Sequence, residues 1–332
     1  MSSVCETTCA KYRKKLGITV ENGSITTSAR SKEEIEVKNV VSSIVMLNAI
    51  FTIVRKAHLF LNFDVISFQL SSEYTKKTKK VVTMKSEKGR QASKVRPNTG
   101  SHDLNYFIKY FCIITAGCVL CPFLMFLVAD SAMNADEFAY YPVVGLSNNV
   151  GTGAHGWVCF TETQNGNEKF FHWLFNTVLI PFLENLKAHY GELDDPCGCI
   201  CDGECEQISL FFTPNLIEKF KTMKCVLGKL AASTTAVGQP CDAWKMFSTL
   251  HHCFDICTRQ DAFAQISLKR AVENMLKKHE EMMNRSMKSD LKARITMALL
   301  KAKIAVERAI THSSFGHSWE ICGIDQDLTV VF

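Results

Sequence analysis

Residues 199–252 read CICDGECEQISLFFTPNLIEKFKTMKCVLGKLAASTTAVGQPCDAWKMFSTLHH, and this stretch decides the fold. A cysteine-rich apolar run over 197–201, followed by Asp202-Gly203, predicts a short buried strand. The segment 213–221 then predicts a helix, and 223–230 predicts a second strand. After a Gly/Ser/Thr-rich loop, Pro240 is predicted to open a further helix, because proline is favoured in the first helical turn. Strands that alternate with helices in this way predict an α/β fold.

The same alternation continues on both sides of this stretch. Upstream, 37–51 predicts a helix, and 58–70 has strand character around a single acid, Asp64. The segment 168–190 follows a helical period, and Pro181 within it predicts a kink. Downstream, the chain from 261 to about 312 is predicted to be a packed helical hairpin, with self-association as the alternative. A near-heptad stripe runs along the second half of that region: Leu291, Ile295, Ala298, Ala302, Ala305 and Ala309.

One uncharged segment, 110–129, has about the length of a bilayer span at 20 residues. Gly117 interrupts it, and the flanking runs 107–115 and 119–128 are rich in β-branched and aromatic residues. This pattern predicts two buried strands joined by a tight turn. A transmembrane helix is the alternative. The following segment, 130–156, is turn-rich, with a short strand expected over 156–161.

The composition is that of a globular protein in a reducing compartment. The 332 residues are 47% hydrophobic and 21% charged, so the chain is long enough to bury a core without disulfide bonds. Its fifteen cysteines show no paired framework of the secretory kind, and the first thirty residues contain no signal-peptide apolar region. These features indicate the cytosol or the nucleus.

Positive charge is concentrated in one segment. The net charge is +5, and between Lys76 and Arg96 nine basic residues stand against one acid, Glu87. Such a run fits an arm that contacts phosphates, a nuclear-import signal or a solvated loop. The candidate DNA-contacting residues are Lys76, Lys77, Lys79, Lys80, Lys85, Lys88, Arg90, Lys94 and Arg96.

Three aspartates occupy positions that a sheet-based site would require. Asp64 is the only charge in an apolar strand, where burying a carboxylate is costly unless it is paired. Asp202 ends a strand, and Asp242 lies in the first turn after Pro240. Converging carboxylates suit hard cations such as Mg²⁺, and two such ions about 4 Å apart can promote attack on a phosphodiester. Taken singly, each aspartate also fits an ordinary role as a core acid, a turn residue or a helix cap.

Together with their flanking motifs, these aspartates resemble the DDE endonuclease superfamily of pogo-like and mariner-like transposases. The family pattern runs from a strand and Asp-Gly through a helix, a strand and a Ser/Thr loop to Gln-Pro-x-Asp and a phenylalanine. The matching residues here are Asp202-Gly203, Ser233-Thr234-Thr235, Gln239-Pro240-Cys241-Asp242 and Phe247. Upstream, LFLNFDVISF resembles the strand of the first aspartate, and the segment around Gly156-Trp157 resembles the approach to the central helix.

The resemblance covers about residues 58–255 and implies a ribonuclease-H-like mixed sheet flanked by helices, with a helical C-terminal extension. It divides the chain into a lead-in segment with one helix (1–55), a catalytic domain (56–258) and the extension (259–332). It also implies that Asp64, Asp202 and Asp242 hold Mg²⁺ or Mn²⁺ and cleave DNA in the nucleus. DNA is the implied partner, a homo-oligomer is an open alternative, and neither a membrane nor an organic cofactor is expected.

Two features depart from the family. Glu204-Cys205-Glu206 follows Asp-Gly where the family usually has a short His- or Ser-containing motif. No helix-turn-helix pair is recognisable before the catalytic part, as expected of a truncated or domesticated copy. The alternative function is therefore a catalytically inactive protein on the same fold that binds DNA or a partner.

Cysteines and histidines offer competing sites. A zinc site could draw on Cys197, Cys199, Cys201, Cys205, His251, His252, Cys253 and Cys257. The C-x-C-x-C spacing is poor for tetrahedral zinc, and buried thiols in a core strand are the alternative. His155 fits either catalytic assistance or a plain loop position. No phosphate-binding glycine loop or dinucleotide fingerprint occurs, and no particular cysteine–histidine pair is nominated as a nucleophile.

Overall fold

The computed structural model describes residues 18–22, 37–69, 80–84, 107–147, 155–163, 165–201, 213–230, 240–241, 246–311, 318–320, 322 and 324. The chain forms two compact units, one of residues 1–35 and 71–105 and the other of residues 36–70 and 106–332. In the first unit, β1 (Ile18–Asn22) pairs antiparallel with β3 (Lys80–Met84). Part of the basic segment interpreted as a loop or an arm is therefore a strand.

A seven-stranded mixed sheet forms the centre of the second unit, in the order β6-β7-β5-β4-β2-β8-β9. Its strands are β2 (Phe60–Gln69), β4 (Phe107–Thr115), β5 (Met125–Ala129), β6 (Ala139–Val144), β7 (His155–Thr161), β8 (Cys197–Cys201) and β9 (Cys225–Lys229). β2, β4 and β5 form an antiparallel meander, whereas β8 runs parallel to β2 and β9 runs parallel to β8.

This strand order defines the fold. A three-stranded antiparallel meander, followed by two parallel strands on the side of its first strand, is the ribonuclease-H-like arrangement. β7, parallel to β5, and β6, antiparallel to β7, extend the sheet on the meander side. The predicted ribonuclease-H-like mixed sheet is therefore confirmed.

Helices cover both faces of the sheet. They are α1 (Val37–Ile53), α2 (Glu168–Leu174), α3 (Ile180–Tyr190), α4 (Pro214–Thr222), α5 (Met246–Ile256), α6 (Arg259–Phe263), α7 (Ile266–Met282) and α8 (Ser289–Thr311). One buried cluster joins α2, α3 and α4 to alternate residues of the sheet, including Leu61 and Phe63. A second cluster joins α1, α5, α7 and α8 to the opposite face, including Phe60 and Ile66.

The uncharged segment 110–129 forms the predicted hairpin within this sheet. β4 and β5 pair antiparallel, with Ile108 opposite Val128. Because helices cover both faces, both sets of alternate side chains are apolar, which explains the long uncharged run. At the turn, a Cβ on Gly117 would lie 2.9 Å from the Cβ of His58, so only glycine fits there without a shift. No helix in the described part of the chain is long and apolar enough to cross a membrane.

The helix predicted over 168–190 is present, with an irregularity at its centre. Phe175–Leu179 forms a π-helical turn between α2 and α3. Pro181 lies two residues after this turn and has no N–H to donate to it. The disturbance that Pro181 predicts therefore takes the form of a wider helical turn.

One strand of the central sheet was not predicted from the sequence pattern. The segment 130–156 was expected to be turn-rich, yet it contains β6, the edge strand, in which Pro142 is the fourth residue. Proline cannot donate to a strand ladder, but an edge strand leaves one side unpaired and tolerates it. The pairing with β7 explains why this proline-containing segment is extended.

The predicted helical hairpin at the C-terminal end is confirmed by α7 and α8, which pack together. From Ile295 to Ala309, the residues of the near-heptad stripe are buried, and Leu291 packs against the same core. The stripe therefore faces the interior of the unit.

Candidate functional site

Asp64 lies in the interior of β2, opposite Cys112 of β4. Its side chain is half-buried, and its Oδ1 accepts a hydrogen bond of 2.7 Å from the backbone N–H of Val65. Asn62, two residues earlier, belongs to the same face of the strand, because side chains alternate along β-strands. The sequence thus supplies two polar side chains on one face of an otherwise apolar strand.

Asn62 is fully buried and joins two distant segments. Its Nδ2 donates a hydrogen bond of 3.1 Å to the carbonyl of Ile200 in β8. Its Oδ1 accepts a hydrogen bond of 2.8 Å from the backbone N–H of Cys241. A single amide therefore connects the strand that ends at Cys201 with the short segment at 240–241.

These two segments directly precede the other predicted ligands. Asp202 and Asp242 themselves lie outside the described residues, but Cys201 and Cys241, their chain neighbours, are described. In the parallel register of β2 and β8, partners such as Phe60 and Gly198 differ by 138 in residue number. The same interval of 138 separates Asp64 from Asp202.

Cys241 lies beside Asp64. Its thiol is buried and points at two carbonyls, that of Asn62 at 3.8 Å and that of Cys112 at 3.9 Å. Burial raises the pKa of the Cys241 thiol well above its ordinary value, and the hydrogen bond with Cys112 and the negative charge of Asp64 raise it further. The segment that leads into Asp242 is thus close enough to Asp64 for the negative charge of Asp64 to act on the Cys241 thiol.

Residues near position 320 pack against this region. Trp319, Cys322 and Ile324 are buried in the same core as Cys241. The indole of Trp319 lies against Phe60, with ring centroids 5.5 Å apart. The start of β2 therefore packs against residues that come more than 250 positions later in the chain.

The other predicted site residues are the basic residues, the cysteines and His155. Of the nine basic residues between Lys76 and Arg96, only Lys80 is described, as the first residue of β3, and the other eight lie outside the described residues. The cysteines of β8 and those at 253 and 257 are buried as free thiols, as expected for core cysteines. His155 begins β7, where its ring contacts Trp157 and Phe123.

Within the described ranges, no group of three or more His, Cys, Asp or Glu side chains could hold a metal ion. Those ranges leave out Asp202, Asp242 and Cys205. The proposed aspartate triad and the full set of candidate zinc-binding cysteines therefore both include residues outside the described ranges.

A buried ionic cluster lies elsewhere, at the end of β5. The imidazole Nε2 of His279 donates to Asp130 at 2.9 Å, Arg285 pairs with the same carboxylate, and the hydroxyl of Tyr141 lies 3.2 Å from Nδ1. Burial alone would raise the pKa of Asp130, but the hydrogen bonds from His279 and Arg285 outweigh it and lower the pKa to about 2. Sequence reasoning missed this cluster, because Asp130 and His279 are 149 residues apart.

Comparisons with known proteins give structural neighbours only. No protein-family model matches the chain, and no curated protein matches it. Among solved structures, the chain is similar to "Crystal structure of a pre-cleavage Mos1 transpososome" and "Crystal structure of the Mos1 mariner paired end complex with Mn". The respective identities are 11% and 10%; both matches have a TM-score of 0.36 and cover 94% of this chain and 71% of the other.

A third match, "Mos1 transposase paired-end complex with left transposon end", has 10% identity and a TM-score of 0.34 and covers 99% of this chain and 72% of the other. Values this low describe a distant likeness, so the fold assignment rests on strand order and strand direction. By that measure the chain has a ribonuclease-H-like core, and its neighbours among solved structures are mariner transposase complexes.

Proposed function

We propose that this chain is a DNA-cleaving or strand-transferring enzyme whose aspartates Asp64, Asp202 and Asp242 hold divalent metal ions. The observation that carries the proposal is the amide of Asn62, which connects the segments preceding Asp202 and Asp242 within two residues of Asp64. This contact supports a common neighbourhood for three carboxylates that are scattered in sequence.

Two distances along the chain support this convergence. The register of β2 and β8, continued two residues beyond Ile200, would set Asp202 beside Asp64, since adjacent strands lie about 4.8 Å apart. The Cα atom of Asp242 lies about 3.8 Å from that of Cys241, whose thiol contacts the carbonyls of Asn62 and Cys112. Both acids are thus expected within reach of the half-buried carboxylate of Asp64.

The donor set fits a hard cation. Mg²⁺ and Mn²⁺ prefer oxygen ligands, and one to three carboxylates completed by water and phosphate are sufficient. The buried thiol of Cys241 is directed at backbone carbonyls. Carboxylate oxygens are therefore the candidate ligands at this edge of the sheet.

The chemistry follows from the ligands. Bound ions of this class activate a water or a 3′-hydroxyl and stabilise the leaving oxygen of a phosphodiester. Asp64, Asp202 and Asp242 would hold the ions; β2 carries Asp64 on the sheet, and β8 ends one residue before Asp202. Asp64 is only partly buried, as required of a residue that holds an ion beside a substrate.

The remaining parts of the proposal concern DNA and organisation. We assign the basic residues from Lys76 to Arg96 to contacts with DNA phosphates, and we place the protein in the nucleus. The segments 1–55, 56–258 and 259–332 stay proposed as lead-in, catalytic domain and helical extension. Such basic runs bind nucleic acid without regard to base sequence.

The test compares Asp202→Asn with Asp194→Asn, a matched control at a fully exposed side chain eight residues earlier. Asparagine keeps the shape but removes a charge from the metal site. We expect cleavage of a DNA substrate in Mg²⁺ or Mn²⁺ to fall by orders of magnitude in Asp202→Asn and to stay unchanged in Asp194→Asn. DNA binding, measured by fluorescence anisotropy, should persist in both.

Equal cleavage by Asp202→Asn and the parent would remove Asp202 from the site. A parent that binds DNA but cleaves none of the substrates in either metal would favour the inactive DNA-binding alternative.

A further inference from the structure

Asn62 is an unusual residue for the centre of a core strand. It is fully buried between Leu61 and Phe63, which are also buried. An amide taken out of water without hydrogen bonds costs several kcal/mol, so a buried asparagine requires defined partners. It has them in Ile200 and Cys241.

The two partners depend on Asn62 to different degrees. Ile200 belongs to β8, which is also held by its ladders with β2 and β9. The segment 240–241 belongs to no strand, and the backbone N–H of Cys241 donates to the Asn62 side chain. The bond to Asn62 therefore matters more for the 240–241 segment than for β8.

We propose that Asn62 is a positioning residue that sets where Asp242 stands relative to Asp64 and Asp202; this inference rests on the metal-dependent function proposed above. The side chain touches neither metal nor substrate and acts through the backbone of Cys241. Few other side chains can do this. The amide offers an acceptor to the N–H of Cys241 and a donor to the carbonyl of Ile200 from a stem of one carbon.

Two substitutions separate the two halves of the contact. Asn62→Val removes both hydrogen bonds but keeps a side chain suited to a buried strand. Asn62→Asp keeps an acceptor for the N–H of Cys241 and loses the donor to Ile200. Thr115→Val is the matched control, because Thr115 is a fully buried polar side chain on β4 whose Oγ1 accepts from the backbone N–H of Val119 at 3.0 Å.

The experiment measures hydrogen–deuterium exchange and Mn²⁺ affinity in the full chain. In Asn62→Val, we expect the peptide containing Cys241 to exchange at least about tenfold faster than in the parent, while β8 peptides change little. Mn²⁺ affinity, measured by isothermal titration, should fall by about tenfold or more, as for other residues that orient metal ligands. Thr115→Val should leave both quantities unchanged, and Asn62→Asp should retain protection at Cys241.

Each outcome decides one question. Parental Mn²⁺ affinity in Asn62→Val, with or without faster exchange, overturns the positioning role while the proposed function stands. Fast exchange at Cys241 in Asn62→Asp also overturns it, because the acceptor is still present. A parent that binds no Mn²⁺ overturns the metal-dependent function itself, and the positioning role with it.

Discussion

At the scale of single residues, the Asp130 cluster gives the clearest dependence on pH. The carboxylate is 5% exposed and bonds to His279 and Arg285, and its pKa is lowered from an ordinary value of 3.8 to about 2. A group whose pKa is depressed in the folded state contributes stability above its unfolded pKa and loses that contribution as pH falls towards the folded pKa. The relevant window is therefore between about pH 4 and pH 2.

We predict that Asp130→Asn removes this component of acid sensitivity. The parent should lose about 2 kcal/mol of unfolding free energy between pH 4 and pH 2 through this carboxylate, since one pKa unit is about 1.4 kcal/mol. At pH 7, the variant should be less stable by about 3 kcal/mol, because the buried His279 and the Arg285 guanidinium lose their anion. Urea unfolding at several pH values measures both effects.

The control for this prediction is Asp136→Asn, whose side chain is 83% exposed. Its unfolding curve should follow that of the parent at each pH. A stability profile of Asp130→Asn that runs parallel to the parent down to pH 2 would show that this carboxylate is not the source of the acid sensitivity.

At the scale of elements, Gly156 in β7 shows how tightly the sheet approaches its flanking loops. A Cβ at this position would lie 1.8 Å from the carbonyl oxygen of Leu146 and 2.5 Å from that of Leu124. Both contacts are with backbone, which cannot rotate away as a flexible side chain could. The next residue, Trp157, donates its N–H to the carbonyl of Leu124 at 2.8 Å, so a shift here would break the link between β7 and the approach to β5.

We predict that Gly156→Ala destabilises the fold by at least about 3 kcal/mol, a loss typical of disrupted core packing. Gly191→Ala is the matched control. Gly191 has a φ of 72° at the end of α3, but nothing lies within 4 Å of an added Cβ. Its substitution should cost about 1 kcal/mol through backbone strain alone. Chemical denaturation of both variants gives the comparison, and equal losses would contradict the steric explanation.

The elements also show what local patterns can predict. β8 was predicted over its observed residues, and β2, β4, α1 and the α7–α8 hairpin within a few residues, because each depends on neighbours in sequence. β5 was predicted over 119–128 but begins only at Met125. β6 was missed, since its extended form depends on pairing with β7. β1 and β3 were missed for the same reason, because each is the partner of the other.

The candidate site shows the same difference between local signals, which the sequence reveals, and distant contacts, which it does not. Asp64, Asp202 and Asp242 could be nominated from their places in the predicted strands and helix together with the family resemblance, although only Asp64 is described. Asn62 could not, because its partner Cys241 is 179 residues away and nothing local marks the pair. One sequence signal was available: an asparagine at the centre of an apolar strand, like the aspartate two residues later, is costly to bury unless it is hydrogen-bonded.

At the scale of the whole molecule, we predict that the basic segment governs the salt dependence of DNA binding. Replacing Lys76, Lys77 and Lys79 by glutamine should flatten the plot of log affinity against log salt by about one unit for each lost phosphate contact. Affinity should fall equally for unrelated DNA sequences. The matched control replaces Lys221, Lys277 and Lys278, which are exposed lysines on α4 and α7.

The measurement is anisotropy titration at several salt concentrations. An unchanged slope in the variant of the basic segment would assign that segment to a role other than phosphate contact, such as nuclear import.

The pairing of β2 with β8 has a consequence for how the chain folds. Strands whose partners differ by 138 in number can meet only after a long loop has closed, and such closure costs conformational entropy before any contact offsets it. The hairpins β4–β5 and α7–α8 close much shorter loops and can form early. Refolding should therefore be limited by the central parallel pair, in line with the slow folding of topologies rich in distant contacts. Asp64, on the earlier strand of that pair, is synthesised long before the residues it is proposed to work with, so the nascent chain carries an incomplete site until residues beyond 241 have emerged.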